Sequence, residues 1–165
     1  MRTRAEQRAV LEADQHFWRD LAARVGEERY DEPRTLGEWS FGDVAGHLLG
    51  WRNRTIGRLE AVAAGEADPA PPWPADFGED DDRINAWIRD TDRAAGRTGA
   101  ELVAAYEASY DRLIAALDAL PEAIVTSPDA IPWVGGPLVD VAFTGHLHDE
   151  HVKDVRAWLE GSSGG

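Results

Sequence analysis

The sequence predicts an all-α protein, a four-helix bundle with one long crossover that carries a short extra helix. Three observations lead there. Apolar residues recur three or four apart through four long segments. Two of those segments open on a capping-box pattern, Ser40 with Asp43 and Thr98 with Glu101. No convincing strand pair, Gly-rich phosphate loop or Gly-x-Ser-x-Gly elbow interrupts them.

The first helix is expected from about Thr3 to Val25, with Val10, Phe17 and Leu21 at helical spacing, Leu11 and Trp18 beside them, and Gly26 as the stop. The segment from Tyr30 to Gly37 reads as a loop. The second helix starts after Ser40 and runs to about Ala64, with Val44, His47, Leu48, Trp51, Thr55 and Leu59 as its stripe. Residues 66–82 hold four prolines, Trp73, Phe77 and an acidic run, a composition that suits a crossover between two parallel helices. A shorter helix follows from about Asp82 to Ala95, with Ile84, Trp87 and Ile88 on one face. Thr98 caps the third main helix, whose stripe is Leu102, Tyr106, Leu113, Leu117 and Leu120, and Pro121 ends it. After a loop at 131–138 the last helix is expected at about 138–160. One domain therefore spans 1–160, with a flexible Gly/Ser tail at 161–165.

Composition bounds the function. The 165 residues carry a net charge of −14, which disfavours a phosphate backbone as a direct partner. There is no cysteine, so disulfides, thiolate nucleophiles and thiolate metal sites are excluded. No apolar signal segment or membrane span is visible, so a cytoplasmic protein without membrane contact is expected.

Histidines carry the functional signal. His47 follows Val44 by three and precedes Trp51 by four, which turns it inward. On the last helix, a face through Val141, Val152, Val155 and Leu159 takes in His148 and His151 and leaves His146, Glu150 and Asp154 on a solvated strip. His47, His148 and His151 then converge from distant segments into a polar site suited to metal, proton-transfer or ligand chemistry. Asp43 reads as a cap residue one turn before His47. Candidate ligand contacts are Asn85, Tyr106 and Tyr110, with Trp51, Trp73, Trp87 and Trp133 placed to line a pocket for a flat apolar molecule.

Five ordered pieces give the chain a resemblance. They are Trp39-Ser-x-x-Asp43-Val-x-x-His47-Leu-x-x-Trp51, Arg83-Ile-Asn85, Ala108-Ser-Tyr110-Asp-Arg-Leu113, Trp133-x-Gly-Gly-x-Leu138, and His148 followed by Val155-Arg-x-Trp158-Leu159. Together they resemble the DinB-like four-helix bundle superfamily, and within it the colibactin self-protection (ClbS/DfsB) branch. The resemblance implies a site at one end of the bundle, where the second and last helices meet. Metal-binding members hold their ion with one histidine of helix two and a pair on the last helix, commonly four apart. Here Val152 stands four after His148, and the pair becomes His148 and His151 at a spacing of three. A divalent metal such as Zn or Ni on His47, His148 and His151 is the cofactor this implies.

The ClbS/DfsB branch implies a metal-free hydrolase that opens an activated cyclopropane in a DNA-alkylating metabolite, hence detoxification and self-resistance. His47 or His148 would be the base, and Trp51 with the crossover aromatics would hold the ligand. The segment after Trp51 offers no tyrosine for a further catalytic role on helix two. A second reading is a metal-dependent thiol transferase or maleylpyruvate-isomerase-like enzyme. A third is a binder that sequesters a hydrophobic ligand without turnover. All three take a small-molecule ligand, and all are compatible with a homodimer joined through exposed apolar helix faces.

Overall fold

A computed structural model describes residues 1–162 and is all-helical among them. The helices are α1 (Arg4–Val25), α2 (Phe41–Ala64), α3 (Asp81–Ala94), α4 (Gly99–Asp118), α5 (Glu122–Thr126) and α6 (Val152–Ser162), with a π-helical turn at Leu147–His151 leading into α6. α1, α2, α4 and the last helix form the bundle, and α3 is the extra helix of the crossover. Residues 163–165 of the expected tail lie outside the described residues, and α6 continues through the first two tail positions.

Caps fix the helix starts. Thr3, Ser40 and Thr98 each accept a hydrogen bond from the backbone three residues on, and Glu6, Asp43 and Glu101 return it. Asp43 is thereby confirmed as a cap residue, and Arg93 also grips its carboxylate at 2.7 Å. At the far end of α4, Arg4 of α1 donates to the carbonyls of Leu117 and Leu120 at 2.5 and 2.7 Å. A cation there adds a partner to carbonyls at the C-terminal end of the helix and complements its dipole.

α2 and α4 run parallel, as the crossover composition suggests. Gly42 lies against Gly99 where both helices begin, and ten residues further along α2, Arg52 reaches Ser109. Small residues make the approach possible. A Cβ on Gly42 would lie 2.6 Å from the Gly99 Cα, and one on Gly50 would lie 2.8 Å from Ile88 of α3. α1 runs antiparallel to α4, with Arg19 on Glu107 and Arg8 on Asp118.

The core has two main parts. Trp18, Phe41, Val44, Leu48, Tyr106, Leu147 and Val155 fill the end near the histidines. Leu11, Ile56, Leu59, Leu113, Leu138 and Val125 fill the other. A smaller cluster of Trp73, Ile84 and Ile88 pins the crossover against α2, with Trp51 and Trp87 at its edge. On α1 the buried face is Gln7, Leu11, Asp14, Trp18, Leu21 and Val25, one position out of phase with the stripe expected through Val10, which is exposed.

The C-terminal third departs most from expectation. Residues 138–144 are not part of the last helix, which begins at Gly145. Val141 instead lies in a loop, where its carbonyl accepts from Gln7 Nε2 at 2.9 Å. Short helix α5 follows Pro121, with Val125 as its buried anchor.

Glycine substitutions on α2 should show the constraint. Gly42→Ala should destabilise the fold by about 1–3 kcal/mol, because the atom it meets is backbone and cannot turn aside. Gly57, with nothing within 4 Å of its Cβ position, should gain up to about 1 kcal/mol on substitution by Ala. Urea unfolding of both variants reads the opposite signs.

Candidate functional site

The last helix does not continue with ordinary periodicity through its histidines. Leu147–His151 form a π-helical turn, in which residues five apart share a face. Leu147 and Val152 thereby both turn into the core. His146 and His151 share the neighbouring face, with rings stacked 5.2 Å apart at 16°. His47 of α2 meets both, with ring centroids 4.7 Å from His146 and 5.3 Å from His151.

One ring nitrogen from each of His47, His146 and His151 lies within 4.8 Å of the others. His47 and His146 share a hydrogen bond between their Nε2 atoms at 2.8 Å. His47 Nδ1 and His151 Nε2 are buried with no hydrogen-bond partner. Burial, reinforced by the two neighbouring imidazoles, pushes the His47 pKa down to about 3. Burial and then His146 also lower that of His151. His47 and His151 are therefore neutral at physiological pH, the form that can offer a lone pair.

This corrects the expected set. His148 points away from His47, is exposed, and sits on the other side of the helix. Its Nε2 bonds the buried Asp14 of α1, and its ring lies 4.8 Å from Phe17. His146, assigned to the solvated strip, takes its place. The expectation anchored the face on Val141, which lies outside the helix, and counted regular turns across a segment that contains a π turn.

The aromatic candidates divide. Trp51 and Trp133 line a cavity of about 270 Å³ together with Arg52, Tyr106, Phe143 and His146. Arg58 lies 3.9 Å over the Trp133 ring. Asn85 stands behind this wall, where its Oδ1 accepts from Trp51 Nε1 at 2.9 Å. Trp73 stacks obliquely on Trp51 at 5.1 Å. Trp87 faces a separate hollow between α2 and α3 and does not reach the histidines. Tyr110 is fully buried, and its hydroxyl donates to Asp14 at 2.5 Å instead of entering the cavity.

Sequence reasoning passed over His146, Arg52 and Asp14. Arg52 was legible, standing four after Leu48 and seven before Leu59 on the buried stripe of α2. Asp14 was legible in the same way, between Leu11 and Trp18 on α1. His146 was not, since the π turn has no marker in the residue pattern.

The three imidazoles fit a divalent transition metal. Their donor set is all nitrogen, which suits Zn, Ni, Cu and Fe, and three protein ligands leave room for a further one. The orphaned, buried Nε2 of His151 beside the paired Nε2 atoms of His47 and His146 is the observation that favours this, because an unpaired polar atom in a core is costly.

No helix among the described residues is long and apolar enough to cross a membrane. No curated protein and no solved structure matches the chain. The model of one family, described as mycothiol maleylpyruvate isomerase N-terminal domain, matches residues 11–152, a stretch that contains all three clustered histidines. That match supports the DinB-like superfamily and does not extend to the ClbS/DfsB branch. The chain belongs to the mycothiol maleylpyruvate isomerase N-terminal domain family, a family of DinB-like helical domains.

Proposed function

We propose that this protein is a metal-dependent enzyme that uses a low-molecular-weight thiol to isomerise, or transfer the thiol to, a small electrophilic molecule. The observation that carries the reading is the convergence of His47, His146 and His151 beside a cavity lined by Trp51, Trp133 and Phe143. Those three histidines would hold the ion. When bound, a divalent metal supplies the positive charge that lets a thiol ionise at neutral pH. The thiol has to come from a cosubstrate, because the chain contains no cysteine.

The protein's own groups prepare the site. Desolvation keeps His47 and His151 neutral, so neither competes for a proton. Trp39 packs edge-on to His47 at 5.0 Å and Asn85 fixes Trp51, which limits movement of the α2 wall. The aromatic walls exclude water from a reactive electrophile. Membership of a family described by mycothiol and maleylpyruvate supports the thiol reading over hydrolytic ring opening. The hydrolytic reading also loses one of its candidate bases, because His148 is held by Asp14 away from the cavity.

Tag-free protein should take up one equivalent of Zn or Ni, measured by elemental analysis after titration. His151→Ala and His146→Ala should abolish retention, and His148→Ala should keep it. Loss in His148→Ala alone would contradict the assigned set. Metal-loaded protein should isomerise maleylpyruvate, or add a thiol to an activated alkene, only with the thiol present. Stoichiometric binding without turnover would instead identify a sequestering protein.

The desolvated His47 also sets a pH dependence of stability. The unfolded chain protonates this residue near 6.5 and the folded one only near 3, so between those values the unfolded state holds more protons. Stability of the metal-free protein is therefore full above about pH 6.5 and falls towards pH 3, by up to about 1.4 kcal/mol per unit for this one proton. Urea unfolding at pH 7.5 and pH 5 should show a steeper loss in wild type than in His47→Asn. Equal slopes would refute the assignment.

A further inference from the structure

Arg52 is a charged residue where a core residue is expected. It stands on the buried stripe of α2 and is 6% exposed. Its Nη2 donates to Tyr106 Oη at 2.7 Å and its Nη1 to Ser109 Oγ at 3.3 Å. Ser109 is itself fixed, donating to the Tyr106 carbonyl at 2.5 Å. The guanidinium lies over the rings of Tyr106 and Tyr110, at 4.2 and 3.9 Å. These contacts hold its plane in one orientation.

What this cation lacks is an anion. Among the described residues no carboxylate lies within 4.0 Å of the guanidinium, whereas the partly exposed Arg97 is paired with Asp92 at 2.9 Å. The nearest acid in its network, Asp14, is taken up by Tyr110 and His148. A guanidinium carries five N–H donors, and two have protein acceptors here. A buried charge is normally paired because desolvation is expensive. This one borders the cavity of about 270 Å³ that His146 also lines.

We propose that Arg52 is the anion anchor of this cavity, the residue that selects and orients a substrate by its carboxylate. The carboxylate binds the free side of the guanidinium, the natural bidentate partner of that fork. The flat body lies between Trp51, Trp133 and Phe143, and its far end reaches the histidine cluster. The inference rests on the proposed function in taking this cavity as the substrate site, but it makes a separate claim about which residue selects the substrate. Arg52 acts by binding and by orienting the molecule. Tyr106, Tyr110 and Ser109 hold it in place, and the cavity that it lines is where a ligand can meet it.

Quenching of tryptophan fluorescence, with two tryptophans on the cavity wall, provides the readout. The probes are cinnamate and its uncharged counterpart cinnamamide, titrated into metal-free full-length protein, metal-loaded protein and His151→Ala. Wild type should bind cinnamate about 10-fold to 100-fold more tightly than cinnamamide, the range expected for a charged hydrogen bond gained. The preference should persist without metal and in His151→Ala. It should shrink in Arg52→Lys and vanish in Arg52→Gln. Should Arg52→Gln fail to fold, the wild-type acid-to-amide ratio in metal-free protein still decides. Equal affinities for acid and amide, or a preference present only with metal bound, would overturn the anchor and leave the metal assignment standing. Retained preference in protein that takes up no metal would support the anchor and sink the metal-dependent function.

Discussion

One extra residue in one helical turn organises the functional end of this molecule. With regular 3.6-residue turns from Gly145 onward, His146 and His151 would diverge and Leu147 and Val152 would not both reach the core. The π turn at Leu147–His151 puts both pairs in register at once. Hydrophobic burial of Leu147 and Val152 holds the turn, and the histidine pair is placed as a consequence. Chemistry and packing therefore depend on the same local irregularity.

The site works against the stability of the fold. Two imidazole nitrogens are buried without partners, each costing about 1–3 kcal/mol. A guanidinium sits in the core with no carboxylate within 4.0 Å among the described residues. Neither feature is needed to pack four helices. The parallel α2–α4 pair, closed by Gly42 against Gly99, and the Trp18–Phe41 stack at 5.2 Å supply a rigid frame around them. Both costs fall if a cation and an anion occupy the site, the metal on the histidines and a substrate acid on Arg52. That complementarity connects the histidine cluster to Arg52, which are otherwise separate oddities.

Much of this was readable in the residues. The capping boxes at Ser40 and Thr98 placed two helix starts, and the inward position of His47 followed from Val44 and Trp51. Trp51 and Trp133 both reached the cavity. Other features were hidden for stated physical reasons. On α1, Val10 suits the periodic pattern as well as Leu11 does, and only packing against α4 chooses the phase. At the C-terminal end, spacing rules assume a constant turn, so His148 was exchanged for His146. Trp87 carries the composition of a ligand wall and serves the α3 side of the crossover instead.

Anomalous diffraction from crystals of the zinc-loaded protein, recorded at the zinc edge, would test the central claim most directly. The account requires one strong peak, bonded by ring nitrogens of His47, His146 and His151 and by none of His148. A peak on His148 and Asp14, or a fully loaded crystal with no density among the three clustered rings, would contradict it.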